Sequence, residues 1–254
     1  MLNNEQIAHF DTFGFVFIRN MLSETEINEL SLYSQEIFND HKTNTGENYA
    51  QLQPFFELNS KMDKFVVDKR IFDSVNRLLG DGFLWIGSEG NITTKSEHGW
   101  HPDRTGTENE VNYRRLKVMF YLDQTTREKG CLRVIPGSQN YQMHTDIRNG
   151  TDAPPDSGKD ADYIYGIKGR DFPAYFVESN PGDVLFFNQC LWHSVYNGFP
   201  GRRYLALKFT AKPENREHME SLNKYSASMF TPHENYLNSN DSQIRSMVDP
   251  ILKL

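Results

Sequence analysis

His101, Pro102 and Asp103 place an imidazole and a carboxylate two positions apart in the sequence. On a β-strand, residues i and i+2 point to the same face, so these two side chains would converge on one point. With a second histidine from elsewhere in the chain, they would form a two-histidine, one-carboxylate triad. Such a triad leaves open positions on a bound Fe(II) ion for a cosubstrate and for oxygen. The pattern therefore indicates a non-haem iron site.

The sequence contains two further His-x-Asp triplets, which begin at His9 and His144. The first falls in a predicted helix, where residues i and i+2 point in different directions. The second lies in a stretch rich in Gly, Asn and Asp without alternating hydrophobicity, and this context predicts a surface turn. His101 instead comes at the end of a predicted strand, directly before a polar loop, where functional residues are commonly found. The triplet that begins at His101 is therefore the candidate.

The third ligand should come from a strand that is distant in sequence. His193 lies in the segment GDVLFFNQCLWHSVYNG, in which a tight turn precedes an apolar strand pair. A lone histidine on an apolar strand is often a hydrogen-bonded core residue, and this alternative stays open. The arginine that follows ten residues later, Arg203, favours the metal-ligand interpretation. His98, close before His101, could line a pocket, although its context favours a plain loop.

Arg203 begins a predicted strand on which it shares one face with Leu205, Leu207 and Phe209. An arginine on an apolar face is expected to point into the interior, where its charge needs an anion. A dicarboxylate cosubstrate would supply that anion, because a guanidinium can bind its far carboxylate through two hydrogen bonds. A structural Asp or Glu partner is the alternative. Arg202 falls on the polar face and is expected to be solvated.

The predicted strand 116–122 raises a similar question. One face is apolar, and Lys117, Met119 and Tyr121 share the other. If the apolar face packs outward on helices, the second face lines the cavity. Lys117 and Tyr121 would then suit a carboxylate of the cosubstrate or substrate. Exposure of this second face to solvent is the alternative.

The elements that must position these residues change character near Gly80. Before it, hydrophobic periodicity and capping signals predict helices over 4–12, from 23 to about 38, and over 68–79. After it, short aromatic and β-branched segments recur between turns and predict strands at 83–87, 98–103, 116–122, 131–135, 172–177, 184–187, 191–196 and 203–210. We therefore expect a mostly antiparallel β-sandwich or barrel with flanking helices, an α+β protein. The polar stretch 139–171 is expected to be a loop insertion at the mouth of the barrel.

Composition narrows the classes of partner. Lys and Arg total 27 against 34 for Asp and Glu, which gives a formal net charge of -7 and disfavours binding to nucleic acid or anionic lipid. No apolar run approaches the roughly 18 residues of a membrane span, and the polar N-terminus does not resemble a signal peptide. We therefore expect a cytoplasmic protein that acts on a small molecule, without membrane or nucleic-acid partners. The C-terminal tail could serve a homodimer contact or cover the site.

Four stretches of the sequence resemble the phytanoyl-CoA dioxygenase (PhyH-like) family of Fe(II)- and 2-oxoglutarate-dependent oxygenases. They are FDTFGFVFIRNMLSETEINEL, WHPD, KGCLRVIPGSQ, and PGDVLFFNQCLWHS with the arginine that follows it. Together they span most of residues 7–212, in the family's order and with about its spacing.

The resemblance implies a double-stranded β-helix, a jelly-roll barrel of the cupin-like kind. It implies that His101, Asp103 and His193 bind Fe(II), and that Arg203 binds the distal carboxylate of 2-oxoglutarate. Met119 stands where some members have a tryptophan near the cosubstrate. Because related halogenases replace the carboxylate ligand with a small residue, Asp103 resembles the ligand of an oxygenase. The implied reaction uses O2, releases succinate and CO2, and most commonly hydroxylates an unactivated carbon of a small molecule.

On this reading, residues 1–254 form one oxygenase domain. It comprises mainly helical support (1–80), the barrel core (83–212) and a tail (213–254). Two other classes stay open. One is a non-oxidative metal enzyme on the same barrel, because a fold does not fix a function. The other is a binding or sensing protein that has kept the barrel without turnover.

Overall fold

Helices lie before, between and after the strands. The computed structural model describes residues 1–94, 97–153, 159–226 and 231–253. Over these residues the helices are α1 (Asn4–Phe13), α2 (Glu24–Thr45), α3 (Asp63–Val66), α4 (Lys69–Leu79), α5 (Glu108–Asn112), α6 (Tyr141–Gly150), α7 (Arg216–Ser226), α8 (Glu234–Leu237) and α9 (Ser242–Val248). Short 3-10 helices occur at Phe56–Leu58, Ser60–Met62, Gly169–Asp171 and Asp249–Lys253. None of the described helices is long and apolar enough to cross a membrane.

The strands form two main sheets and a small hairpin. They are β1 (Phe15–Ile18), β2 (Ala50–Leu52), β3 (Leu84–Ile92), β4 (His98–His101), β5 (Arg115–Tyr121), β6 (Leu132–Val134), β7 (Tyr163–Ile164), β8 (Ile167–Lys168), β9 (Tyr175–Val177), β10 (Val184–Asn188), β11 (His193–Val195) and β12 (Arg203–Thr210). The larger sheet has the order β1-β10-β5-β12-β3-β2, the smaller one has the order β4-β11-β6-β9, and β7 pairs with β8. The paired strands are antiparallel throughout. The predicted α+β jelly roll is confirmed, as two facing sheets rather than a closed barrel.

The helices predicted before Gly80 are confirmed. α1 ends at Gly14, whose φ of 81° is the left-handed conformation that glycine adopts without strain. α2 begins with the predicted capping box of Ser23 and Glu26, and it continues past its predicted end near residue 38. α4 begins after Asp68, which caps its N-terminus, and ends before Gly80. These helices cover the outer face of the larger sheet.

The main hydrophobic core lies between that outer face and the helices. From the sheet it contains alternate residues of β5 and β12, and from the helices it contains apolar residues of α2 and α4: Leu116, Val118, Phe120, Leu205, Leu207, Phe209, Leu30, Ile37, Phe38, Ile71, Val75 and Leu78. A second, smaller cluster lies between the two sheets and includes Met119, Tyr121, Leu132, Phe187 and Val195. The apolar face of each central strand therefore points to the helices, and the mixed face points between the sheets.

The stretch 139–171, expected to be a loop insertion, contains regular structure. It holds α6, the β7–β8 hairpin and a 3-10 turn; residues 154–158 lie outside the described part. α6 buries only His144 and Ile147, so its helical period is hard to recognise in the sequence. His144, expected in a surface turn, is buried: Nδ1 donates to the carbonyl oxygen of Cys190 (3.0 Å), and Nε2 accepts from the hydroxyl of Thr105 (3.1 Å).

Strand β3 is longer than the predicted segment 83–87, and its polar residues explain the difference. The hydroxyl of Ser88 accepts hydrogen bonds from the backbone N–H groups of Phe55 (3.0 Å) and Phe56 (2.9 Å). A Cβ atom at Gly90 would lie 2.3 Å from the ring of Phe55, so the strand has a glycine where another chain segment crosses it. The sequence Ser-Glu-Gly-Asn, which is typical of a turn, is here part of a strand that reaches the pocket.

Candidate metal centre

Three side chains meet at one end of the smaller sheet. The ligand atoms of His101, Asp103 and His193 all lie within 4.8 Å of one another. His101 on β4 is the direct register partner of His193 on β11, so both rings are on the same face, with centroids 4.4 Å apart. Asp103 follows the end of β4, and its Oδ1 lies 3.9 Å from Nε2 of His193. We refer to these three residues as the ligand wall.

Both histidines of the ligand wall are held in the same way. Nδ1 of His101 donates to the carbonyl oxygen of Gly99, and Nδ1 of His193 donates to that of Leu191, each at 2.9 Å. A carbonyl oxygen can only accept, so Nδ1 carries the hydrogen and Nε2 keeps its lone pair. Oδ1 of Asp160 lies 3.3 Å from Nδ1 of His101, on the side away from the other ligands. Such outer contacts orient histidines that bind metals.

The charge states of His193 and Asp103 also favour the binding of a cation. Burial lowers the pKa of His193 to about 4, and the nearby ring of His101 adds to the shift, so His193 is neutral at pH 7. Burial opposes the ionisation of Asp103, but the surrounding groups, Lys117 first among them, together outweigh burial and hold the pKa of Asp103 well below its ordinary range. Two imidazoles and a carboxylate are the donor set of a divalent transition metal with open positions.

The opposite side of the pocket carries paired charges from three strands of the larger sheet. Nζ of Lys117 on β5 lies 2.9 Å from Oε1 of Glu89 on β3, and Nζ of Lys208 on β12 lies 2.6 Å from Oε2 of Glu89. Burial opposes the charged form of Glu89, but both ammonium groups keep its pKa below the ordinary value. Carboxylates likewise keep the pKa of Lys117 above its ordinary value against the effect of burial. We refer to Lys117, Glu89 and Lys208 as the charged wall.

The two walls enclose a pocket of about 430 Å³. The structure places all three inward candidates of β5 on its lining, because Lys117, Met119 and Tyr121 lie on the face that points between the sheets. The hydroxyl of Tyr121 is buried without a hydrogen-bond partner among the described residues. Burial raises the pKa of Tyr121 to about 12, so this hydroxyl stays a donor. His98, for which a loop was favoured, lies on β4 and also lines the pocket.

The expectation that Arg203 points into the interior was wrong. Its guanidinium pairs with the carboxylate of Asp123 (Nη2 to Oδ1, 2.9 Å) and contacts the hydroxyl of Ser31 on α2 at 3.4 Å, and the side chain is 25% exposed. Arg203 does share a face with Leu205, as the alternation predicted, but that face packs on the helices rather than around the pocket. The predicted alternative of a structural acidic partner is the one observed.

Arg202, expected to be solvated, lies on the pocket instead. It is 2% exposed, lines the pocket, and donates from Nη1 to the carbonyl oxygen of Gly130 at 2.8 Å. Its guanidinium carbon lies 5.4 Å from the centre of the Tyr204 ring, which faces Tyr121 across the β12–β5 pair. The inward arginine is therefore the residue immediately before β12, one position away from the predicted one.

Sequence reasoning did not identify Glu89 as part of the site. The predicted strand 83–87 ended before Glu89, and only the pairing of β3 with β12 places Glu89 beside the inward residues. One signal was available: Lys117 and Lys208 are inward lysines on two neighbouring central strands, and two buried cations require an acidic partner.

Comparison with known proteins decides the family. The family model of phytanoyl-CoA dioxygenase (PhyH) matches residues 10–196 of this chain. The chain belongs to the phytanoyl-CoA dioxygenase family. It is accordingly an Fe(II)- and 2-oxoglutarate-dependent oxygenase, an enzyme that uses Fe(II), 2-oxoglutarate and O2. No curated protein sequence matches the chain significantly.

Several solved structures share this family's fold. HygX from Streptomyces hygroscopicus, with nickel and 2-oxoglutarate bound, is 18% identical, with a TM-score of 0.62 over 83% of this chain and 88% of its own. EctD from S. alaskensis with bound Fe is 19% identical, with a TM-score of 0.63 over 83% of this chain and 77% of its own. The carbocyclase SnoK from nogalamycin biosynthesis is 17% identical, with a TM-score of 0.60 over 87% and 90%. At these identities the likeness establishes the fold.

Proposed function

We propose that this oxygenase hydroxylates a carbon of a small polar molecule at an iron ion bound by His101, Asp103 and His193. The observation that carries the proposal is the convergence of one ring nitrogen from each histidine and a carboxylate oxygen within 4.8 Å. Bound there, Fe(II) would supply the oxidising chemistry, with O2 as oxidant and 2-oxoglutarate converted to succinate and CO2. The bound metal in the HygX and EctD structures supports this assignment.

The ligand wall holds its metal-binding side chains in a fixed orientation. The backbone carbonyls of Gly99 and Leu191 fix both imidazoles with Nε2 toward the common point. Because Asp103 is ionised and His193 is neutral, these two donors can bind a cation without first losing a proton. Phe187 packs edge-on against His193 at 5.3 Å between ring centroids, which excludes water from one side of the site.

For 2-oxoglutarate, we propose Arg202 as the group that binds the carboxylate far from the metal, in place of Arg203. Arg202 is buried on the pocket lining, and a guanidinium binds a carboxylate through two parallel hydrogen bonds. The buried hydroxyl of Tyr121 would donate a further hydrogen bond, for which the described residues offer it no other partner. Met119 would contact the cosubstrate through its apolar side chain.

The primary substrate would enter beside the charged wall. This part of the lining is rich in hydrogen-bonding side chains: Gln51, Gln53, Arg104, Gln189 and Lys208. Desolvating so many polar groups against an apolar chain would cost free energy, so a hydrophilic ligand is favoured over a fatty acyl group. A volume of about 430 Å³, shared with 2-oxoglutarate, limits the substrate to a small molecule.

The reaction outcome is tested by mass spectrometry after incubation with Fe(II), 2-oxoglutarate and ¹⁸O2. A panel of amino acids, sugars and polar heterocycles is first screened for compounds that increase succinate release. Hydroxylation predicts a product with one added ¹⁸O atom. A product that has lost two hydrogens, or that is an isomer of the substrate, would contradict hydroxylation. The structural neighbours SnoK, a carbocyclase, and SnoN, an epimerase, make these outcomes specific alternatives.

A further inference from the structure

The two oxygens of Asp103 have different surroundings. Oδ1 faces the other ligands, at 3.9 Å from Nε2 of His193. Oδ2 faces the larger sheet, at 3.3 Å from Nζ of Lys117. A carboxylate that is held by one oxygen can turn the other toward a metal, so this contact defines which oxygen of Asp103 is available for binding.

The ammonium group of Lys117 is in turn held by the carboxylate of Glu89. Oε1 of Glu89 accepts from Nζ of Lys117 at 2.9 Å, while Oε2 of Glu89 accepts from Lys208 at 2.6 Å and from Nε2 of Gln53 at 2.9 Å. Glu89 is 3% exposed. The register places Lys117 directly opposite Lys208 on paired strands, so one carboxylate serves both ammonium groups. The result is a continuous chain of contacts from Gln53 through Glu89 and Lys117 to Asp103.

We propose that Lys117 is a positioning residue that holds Asp103 as a one-oxygen metal ligand, and that Glu89 keeps Lys117 in place. This inference rests on the metal centre proposed above. A lysine beside a metal ion would ordinarily repel it, but the carboxylate of Glu89, which Lys117 shares with Lys208, offsets part of that charge. Lys117 thus fixes the orientation of Asp103 while Glu89 reduces the positive charge next to the metal. Neither a role in binding 2-oxoglutarate nor simple core packing would require this contact with Oδ2 of Asp103.

The test is the binding of Co(II) to the metal-free protein, followed by the visible spectrum of the bound ion, which needs no turnover. We expect Lys117→Met to weaken Co(II) binding by about 10- to 100-fold, as is typical when an outer partner of a metal ligand is removed. The spectrum of the remaining complex should change, because Asp103 is free to bind through both oxygens. Lys117→Arg, which keeps a donor, should recover part of the affinity. Lys168→Met, at an exposed lysine of β8, is the matched control and should bind as wild type does.

Glu89→Gln tests the contact between Glu89 and Lys117. It also replaces Lys117→Met as the test if that variant fails to fold. We expect it to weaken Co(II) binding, because the charge of Lys117 is no longer offset. In the double variant, Glu89→Gln should add little to the loss caused by Lys117→Met, since Glu89 acts through Lys117. Losses that multiply independently would contradict this, and so would Co(II) affinity and spectrum unchanged by Lys117→Met. If wild-type protein fails to bind Co(II), or binds it equally well after His193→Ala, the proposed metal centre fails and this inference fails with it.

Discussion

The ligand wall and the charged wall of the pocket are built by different means. In the ligand wall, each histidine is fixed by the carbonyl oxygen two residues before it, a contact within its own short segment. In the charged wall, Lys117, Glu89 and Lys208 come from three strands, and they hold one another through contacts between those strands. The first wall depends on local backbone geometry. The second depends on the assembled sheet, so substitutions should affect the two walls in different ways.

The largest expected effect comes from removing a member of the ligand wall. We predict that His193→Ala retains no iron and converts 2-oxoglutarate only at the background rate, because two donors do not retain the ion. His144→Ala is the matched control, since His144 is a buried histidine bonded to Cys190 and Thr105 instead. It should keep iron and lose about 1–3 kcal/mol of stability. Iron content, succinate release and urea unfolding measure the three quantities. Iron retained at wild-type level by His193→Ala would remove it from the ligand set.

A substitution on the opposite face of the strands that carry the charged wall should change the stability of the protein but not its iron binding. Leu207 lies on β12 between Ala206 and Lys208, but it points into the core beneath the helices and is fully buried. We predict that Leu207→Ala lowers the free energy of unfolding by about 2–5 kcal/mol, through lost apolar contact and the cavity left behind. Iron content per folded protein should stay at the wild-type level. Loss of iron from folded Leu207→Ala would show that the two faces of the sheet are not independent.

Arg202 and Arg203 allow the same comparison at adjacent positions. Hydrogen bonds to charged groups contribute about 1.5–3 kcal/mol, so Arg202→Ala should weaken 2-oxoglutarate binding about 10- to 150-fold. Arg203→Ala should leave that affinity unchanged and cost at most about 1 kcal/mol of stability, since its pair with Asp123 is partly exposed. Calorimetric titration of the metal-loaded proteins with 2-oxoglutarate measures both. The opposite ranking would restore Arg203 as the cosubstrate arginine.

The smallest effect concerns a carboxylate behind the charged wall. Burial raises the pKa of Asp63 to about 6, and the acidic Asp241 and Glu57 add to the shift. Because this folded pKa is above the ordinary 3.8, wild-type protein loses stability as pH rises from about 4 through about 6. Asp63→Asn cannot ionise. It should therefore be about 1–2 kcal/mol more stable than wild type above pH 6, with no difference below pH 4. Urea unfolding at several pH values tests this, and a gain independent of pH would contradict the assignment.

The ligand wall could be predicted from the sequence because its information is local. His101 and Asp103 are two residues apart beside a strand end, and His193 follows a tight turn on another strand. The resemblance to the family then related the two segments. Helices α1 and α4 could be predicted for the same reason, because caps and apolar spacing are properties of consecutive residues.

The charged wall and the arginine that lines the pocket could not be predicted from the sequence in this way. Alternation correctly placed Arg203 with Leu205, but it cannot tell which face of a strand the helices cover. Glu89 lies beside a glycine that is required only because Phe55 crosses the strand there. Both facts depend on contacts between segments far apart in the chain, and those contacts exist only once the sheet has assembled.

The most direct test of the central claim is anaerobic titration of the metal-free protein with Fe(II) and then with 2-oxoglutarate, followed by visible absorption. If the ligand wall holds an iron ion with open positions, a charge-transfer band should appear only when both components are present, and it should be absent in His193→Ala. If folded wild-type protein shows no band and instead binds another metal tightly, the iron and 2-oxoglutarate account of this pocket is contradicted.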